Sequence, residues 1–328
     1  MQITTEIAFK FKFVKNGSAQ GFRSKKASAS TQRLFLNELN VPYDAIMDTT
    51  SRDNRLVIQL FPNSGVDEEI RKEFAQSNVL ILEVSQAKAI DLEKYIDRHA
   101  SLQVANKRKK MLAAKGQEHL FKSITCPHCS ATVDLTDYEK SPHIYCRYCE
   151  SILSQSLELI ADGDHYRHCD ECNLFDRVQG HTEFYFYFLL IVYGFRSKRR
   201  HLCDACALKI SNKALLINFP FILGIFPALY MRIKASQGKD GKIKNITKAN
   251  KLALAGKYQE ADTIYENMLM NHPDHPGILF NQAMAHFNGQ DAQAGVDYVR
   301  RSMNASGNYL PSLRLISRLN QAAQAKRP

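Results

Sequence analysis

All eight cysteines of this 328-residue chain fall in CxxC pairs: Cys126/Cys129, Cys146/Cys149, Cys169/Cys172 and Cys203/Cys206. A secreted disulfide framework scatters its cysteines through a short chain. Here they are paired at a constant gap inside residues 126–206. Thiolates grouped in this way are ligands for Zn(II), which takes four tetrahedral sulfur or imidazole donors. One CxxC turn brings two sulfurs to a metal, and a second turn completes the shell. Two zinc ions, four sulfurs each, are therefore expected. Redox dithiols and free buried thiols are the alternative readings of the same residues. Spacing alone also leaves open a swapped pairing between the two sets. His165, His168, His181 and His201 lie near the second set and could replace a sulfur, but with four thiols at hand they are expected at the surface.

The chain shows no GxxxxGK[ST] phosphate loop, no GxGxxG after a strand, no HExxH and no GxSxG. Four thiolates around a zinc ion leave no position at which water could be activated. The expectation is a protein that is not an enzyme and has no small-molecule substrate.

Short strands must bring the pairs together. Sixteen residues separate Cys129 from Cys146, enough for a hairpin. Thr132-Val133-Asp134-Leu135 alternates as a strand, Glu139-Lys140-Ser141-Pro142 turns, and His143-Ile144-Tyr145 leads back. With Cys126-Pro127-His128-Cys129 opening and Cys146-Arg147-Tyr148-Cys149 closing, this stretch resembles a zinc ribbon. Thirty residues separate Cys172 from Cys203, so the second set predicts an elaborated hairpin. Its interior holds the apolar run Phe184 to Tyr193, too short to span a bilayer as a helix and read as a long strand. Leu202-Cys203-Asp204-Ala205-Cys206 reads as a strand entering a knuckle.

Upstream, Ile7, Phe9, Phe11 and Phe13 alternate with polar residues as a half-buried strand. Residues 33–36, 41–47, 55–60 and 79–84 read as further strands, and Ile90, Leu92, Tyr95, Ile96 and His99 mark one side of a helix. Strands closed by one terminal helix resemble a pleckstrin-homology-like barrel, which implies a module docking lipid, peptide or protein. The run Asn106-Lys107-Arg108-Lys109-Lys110 reads as a basic connector or a solvated helix face.

Residues 214–231 are 18 in number and uncharged, at the lower limit for a membrane span, and are interrupted by Pro220 and Pro227. Residues 196–213 carry six Lys/Arg against one Asp, a local +5, and residues 232–251 carry seven against one, a local +6. Positive charge on both sides gives no orientation for a single crossing. Three readings stand: buried core, an anchor at an anionic lipid surface, or a span.

Downstream, Ala249, Leu252, Gly256-Lys257-Tyr258, Ala261, Tyr265 and Pro273 resemble a tetratricopeptide repeat, with a looser second unit carrying Ala283 and Gly295. Such helices imply a groove for a protein partner or peptide, lined by Ile246, Asn250, Leu254, Phe280, Met284 and Phe287; the alternative is that so short an array packs against the rest of the chain and these residues are core.

The expected fold class is multidomain α+β: a β-rich N-terminal domain with a terminal helix, two four-cysteine modules, an apolar helical segment and a C-terminal helical domain. The expected order is a pleckstrin-homology-like domain over 1–103, a basic linker over 104–122, one ribbon over 123–162 and a second over 163–212. An apolar segment over 213–235, a basic linker over 236–245, repeat helices over 246–322 and a basic tail over 323–328 follow. The net charge of +11 (44 Lys/Arg against 33 Asp/Glu) also admits a nucleic-acid-associated factor. Against that alternative, the ribbon strands lack the basic–aromatic alternation of single-strand binders. Met1 to Glu6 show no basic stretch followed by an apolar run, so a cytoplasmic place, peripheral or monotopic at the inner face of a membrane, is expected.

Overall fold

The computed structural model describes residues 6–52, 54–62, 64, 66, 68–73, 78–189, 192–218, 222–236 and 243–325. They form two compact units, residues 1–136 and 137–328.

The first unit opens with β1 (Ile7–Lys15), β2 (Ser18–Ala19), β3 (Lys25–Ala29), β4 (Arg33–Leu36) and β5 (Leu39–Pro42). After β6 (Ile46–Arg52), β7 (Arg55–Leu60), a short helix α1 (Glu68–Glu73) and β8 (Val79–Glu83) comes a 29-residue helix, α2 (Gln86–Ala114). The sheet order is β5-β4-β3-β1-β8-β7-β6, with β2 paired to β1. Every pairing is antiparallel. Ile7–Phe11 of β1 pairs with β3, while Lys12 and Phe13 pair with β8, so one strand serves two meanders. Alternation explains the burial: Phe9, Phe11 and Phe13 point to one face, where they meet Leu34, Leu36, Leu56, Ile58, Leu80 and Leu82. Ala89, Leu92, Ile96 and Ala100 of α2, spaced three or four apart, join the same core.

Two expectations shift here. The stretch 41–47 is two strands split by a 3-10 turn at Tyr43–Ala45, where the buried Tyr43 hydroxyl donates to the Ser30 carbonyl at 2.7 Å. The basic run 106–110 is no separate connector but the continuation of α2. Its charges meet carboxylates, Lys107 with Asp44 at 2.9 Å, Arg108 with Asp134 at 3.4 Å and Lys109 with Glu118 at 3.3 Å. Such half-exposed pairs add only about 0–1 kcal/mol each, so the helix rests on its apolar face. A hairpin of β9 (Ser123–Thr125) and β10 (Thr132–Asp134) closes the unit.

The second unit contains the sheet β11 (His143–Tyr145), β12 (Ile152–Ser154) and β13 (Leu159–Ala161). Next comes the sheet β14 (Tyr166–His168), β15 (Phe175–Leu189) and β16 (Val192–Cys203). The apolar run of the sequence is the far half of the β15–β16 hairpin, in register from Val178↔Cys203 to Leu189↔Val192; Leu190 and Ile191 lie outside the described residues. The segment 214–231 is not one helix. It is divided between α3 (Asp204–Asn218) and α4 (Ile222–Ser236), with Phe219–Phe221 outside the described residues. Much of the expected basic linker at 236–245 also lies outside them.

Five helices follow: α5 (Ile246–Leu254), α6 (Tyr258–Asn271), α7 (Pro276–Asn288), α8 (Ala292–Ala305) and α9 (Leu310–Ala325). Each packs on the next. Small buried residues let them approach: Ala249, Ala261 and Ala283 are fully buried, and a Cβ on Gly295 would lie 2.8 Å from the Phe287 ring. Tyr145, Ile152, Tyr166 and Phe175 of the two small sheets share one core with Ile246, Tyr265, Met268, Ile278 and Tyr309 of the helices.

Candidate metal centres

Three of the four CxxC pairs sit in the same backbone turn. The Cys126 N–H donates to Ala131 O and the Ser130 N–H to Cys126 O, both at 2.9 Å. The second pair repeats this: Cys146 N–H to Ser151 O at 2.9 Å and Glu150 N–H to Cys146 O at 2.7 Å. So does the third, with Cys169 N–H to Leu174 O at 3.0 Å and Asn173 N–H to Cys169 O at 2.9 Å. Each turn closes through a left-handed residue, Ser130 (φ 62°), Glu150 (φ 60°) or Asn173 (φ 58°). Asn adopts that region readily, whereas Ser and Glu are held there by the turn's own bonds. The fourth pair departs from the expected knuckle. Cys203 ends β16 and Cys206 lies in the first turn of α3.

The sulfurs of Cys126, Cys129, Cys146 and Cys149 gather within 4.8 Å of one another, and those of Cys169, Cys172, Cys203 and Cys206 do the same. The pairing is thus sequential, with no swap between the sets. Cys172 Sγ and Cys203 Sγ are 3.9 Å apart. Four sulfurs at about 2.3 Å from a tetrahedral zinc stand about 3.8 Å from each other. A disulfide needs about 2.05 Å, and none of the eight cysteines is in one. Five of the eight are buried, and Cys129, Cys149 and Cys172 are half-buried.

Electrostatics favour a cation in the second cluster. Hydrogen bonds from Cys172, Cys203 and Cys206 hold the Cys169 thiol far below its ordinary range. Interaction with that sulfur pushes Cys172, Cys203 and Cys206 far above theirs. Four thiols this close oppose one another's ionisation. A divalent ion resolves the conflict, because it stabilises all four thiolates together.

The donors are braced from outside, as metal ligands usually are. The Cys203 N–H points at Cys169 Sγ, 3.4 Å away. Asp170 N donates to His201 O at 3.0 Å, and the Asp170 carboxylate accepts from His201 N at 2.8 Å. Arg200 pairs with Glu171 at 2.6 Å, and Arg177 with Asp204 at 2.7 Å. In the first cluster, Ser151 Oγ accepts from Cys149 Sγ at 3.2 Å and from the Gly163 N–H at 3.0 Å. Gly163 was invisible to motif reading. A Cβ there would fall on the Cys149 carbonyl oxygen, 2.8 Å from its carbon and 3.0 Å from Ser151 N. The Glu150 carboxylate, carried by the second knuckle, pairs with Arg167 on the strand that leads to Cys169.

Neither cluster includes a histidine. The four candidates are not simply surface residues. His165 is exposed and pairs with Asp162 at 2.8 Å. His201 is half-buried. His168 sits among rings, with Nε2 2.6 Å from the Tyr309 hydroxyl and Nδ1 2.7 Å from Asn173 O. His181 is buried, and burial pulls it down to about 4.

The six residues expected to line a partner groove divide. Ile246, Asn250 and Phe280 are buried, Met284 and Phe287 are half-buried, and Leu254 is exposed. The side of the helices that carries Asn250 and Asn281 is filled by the chain itself. Phe175 N–H donates to Asn281 Oδ1 at 2.7 Å, and Phe175 O accepts from Asn250 Nδ2 at 3.0 Å and Asn281 Nδ2 at 2.6 Å. Tyr265 donates to Asn250 Oδ1 at 2.6 Å, completing a buried polar network. Phe175 follows the third knuckle directly, so the helices hold the strand that leaves the second cluster.

Among the described residues no helix is long and apolar enough to cross a membrane. No known protein family, curated protein or solved structure matches the chain.

Proposed function

We propose that this chain is a non-enzymatic adaptor in which two structural zinc ions hold a midsection that carries docking modules on either side. The observation that supports it best is the pair of four-sulfur clusters at zinc spacing. Shells completed by protein sulfur suit structural zinc, which contributes folding free energy and leaves no exchangeable position. The helices α5–α9, stacked in sequence order with small residues at their crossings, support a tetratricopeptide-like reading. Two meanders sharing β1 and closed by α2 support a pleckstrin-homology-like reading of the first unit.

Because Phe175 occupies one side of the helices, a protein partner meets the outward side, where Leu254 and Met270 (75 % exposed) stand in solvent. The test is affinity capture with the full zinc-loaded chain and with Leu254→Glu/Met270→Glu, followed by mass spectrometry. Loss of a specific protein from the variant, at unchanged zinc content, supports the reading. An identical set of captured proteins from both overturns it.

A further inference from the structure

The helical hairpin α3–α4 carries an apolar surface that the fold leaves uncovered. On α4, Phe226, Leu229, Tyr230 and Ile233 recur at i, i+3, i+4 and i+7, and Phe226 and Tyr230 are 66 % and 68 % exposed. The opposite face of α4, Ala228, Met231 and Ala235, is the buried one. Met231 and Ala235 pack with Val178, Ile210 and the second cluster's cysteines. On α3, Leu216 (79 % exposed) and Ile217 continue the apolar surface at the end remote from Cys206.

Basic residues run along the same hairpin. Lys209 is exposed on the half of α3 nearer the metal cluster and Lys213 just past its middle. Arg232 bonds Asn212 across the two helices at 3.0 Å, and Lys234 donates to Gly180 O at 3.0 Å, so both sit toward the base. Between Asp204 and Asp240 the sequence has five Lys/Arg and not one acidic residue. The surface is thus apolar alone at its outer end, at Leu216, Ile217 and Phe226, mixed apolar and basic toward its base, and without an exposed carboxylate, Asp204 at the start of α3 being buried against Arg177.

We propose that α3–α4 docks into one leaflet of a membrane containing anionic phospholipid. Each helix has 15 residues and is about 22 Å long, short of the ~30 Å hydrocarbon core, so the hairpin enters one leaflet without crossing. The apolar end lies at acyl-chain depth and the lysines reach back to headgroup phosphates, as long basic side chains do at interfaces. The lack of exposed carboxylates selects this occupant over an ordinary protein surface, since a negatively charged plane meets no exposed like charge among the described residues of α3 and α4. This site is separate from the helices α5–α9 and does not depend on their partner.

The experiment is flotation of the full, zinc-loaded chain with vesicles of phosphatidylcholine alone and with about one third phosphatidylglycerol. The chain is expected to float with the anionic vesicles and far less with the neutral ones. Phe226→Glu/Tyr230→Glu, at exposed positions, is expected to lower vesicle affinity at least about tenfold while zinc content stays unchanged. Lys209→Glu/Lys213→Glu is expected to abolish the preference for anionic vesicles. No flotation of the wild-type chain overturns the proposal. So does equal flotation of the Phe226→Glu/Tyr230→Glu variant. A wild-type dimer that this variant converts to a monomer, with no vesicle binding by either, assigns the surface to a second copy and also overturns it.

Discussion

Gly163→Ala is the sharpest perturbation of the first metal cluster that leaves every ligand in place. The added methyl would occupy the position of the Cys149 carbonyl oxygen and press on Ser151 N. Both neighbours are backbone of the second knuckle, so no rotamer change relieves the overlap. The segment must retreat, which breaks the Gly163 N–H bond to Ser151 Oγ and moves that hydroxyl from Cys149 Sγ. A buried donor left without a partner costs about 1–3 kcal/mol. Overpacking a rigid site costs about 1–3 kcal/mol more. The middle of the summed range, about 4 kcal/mol, corresponds to zinc bound roughly a thousandfold more weakly at this cluster. Chelator competition on the full chain reads this directly: one zinc leaves at far lower chelator concentration while the other is unaffected. Gly307→Ala serves as control, because its methyl would meet Glu139 O at an ordinary 3.5 Å. If Gly163→Ala retains both zinc ions with wild-type affinity, the reasoning from that close approach is wrong.

Elemental analysis of the reduced chain should give two zinc ions, and Cys126→Ser/Cys129→Ser should give one; absence of zinc from fresh anaerobic protein would refute the metal assignment. Gly277→Ala should lower the melting temperature although alanine favours helix by about 1 kcal/mol, since its Cβ would lie 2.5 Å from the buried Phe175 ring. A net loss of about 2 kcal/mol corresponds to a shift of about 4–8 °C in calorimetry, and a rise would contradict the packing. Asp176 is fully buried, and burial pushes its carboxyl up to about 6 despite bonds from Thr247 and the Arg177 N–H. A folded-state value above the unfolded one near 3.8 means that its contribution is fully present below that pH and is lost as pH rises through 6. The stability of Asp176→Asn relative to wild type should therefore increase by about 2–3 kcal/mol between pH 4 and 7 in paired denaturant titrations. A pH-independent difference would count against it.

The metal ligands were legible because their chemistry is written in local spacing: a CxxC turn needs only four residues to declare itself. Strand β1 was legible for a similar reason, its Phe9-Phe11-Phe13 alternation being a period of two. Strand β3 was not, because Lys25-Lys26-Ala27-Ser28-Ala29 has little intrinsic preference for strand and is placed by pairing with β1. The division of 214–231 into two helices escaped hydropathy, which measures apolar content and not where a chain reverses. Gly163 and Gly277 escaped because their importance lies in backbone or a ring brought close from elsewhere in the fold. Spacing alone left the helix residues open between groove lining and core, and Phe175, brought from another element, puts Asn250 and Phe280 in the core.

The seat taken by Phe175 ties two equilibria into one. The strand that rests between Asn250 and Asn281 begins three residues after Cys172, so it is tethered at a local concentration no free peptide in a cell attains. Any competitor for that cleft must dislodge the tether, and whatever strain reaches the third knuckle weakens its hold on the ion by the same free energy that ion loss would loosen the cleft. In the zinc-loaded chain proposed above, metal occupancy and accessibility of that helical face would be reciprocal variables.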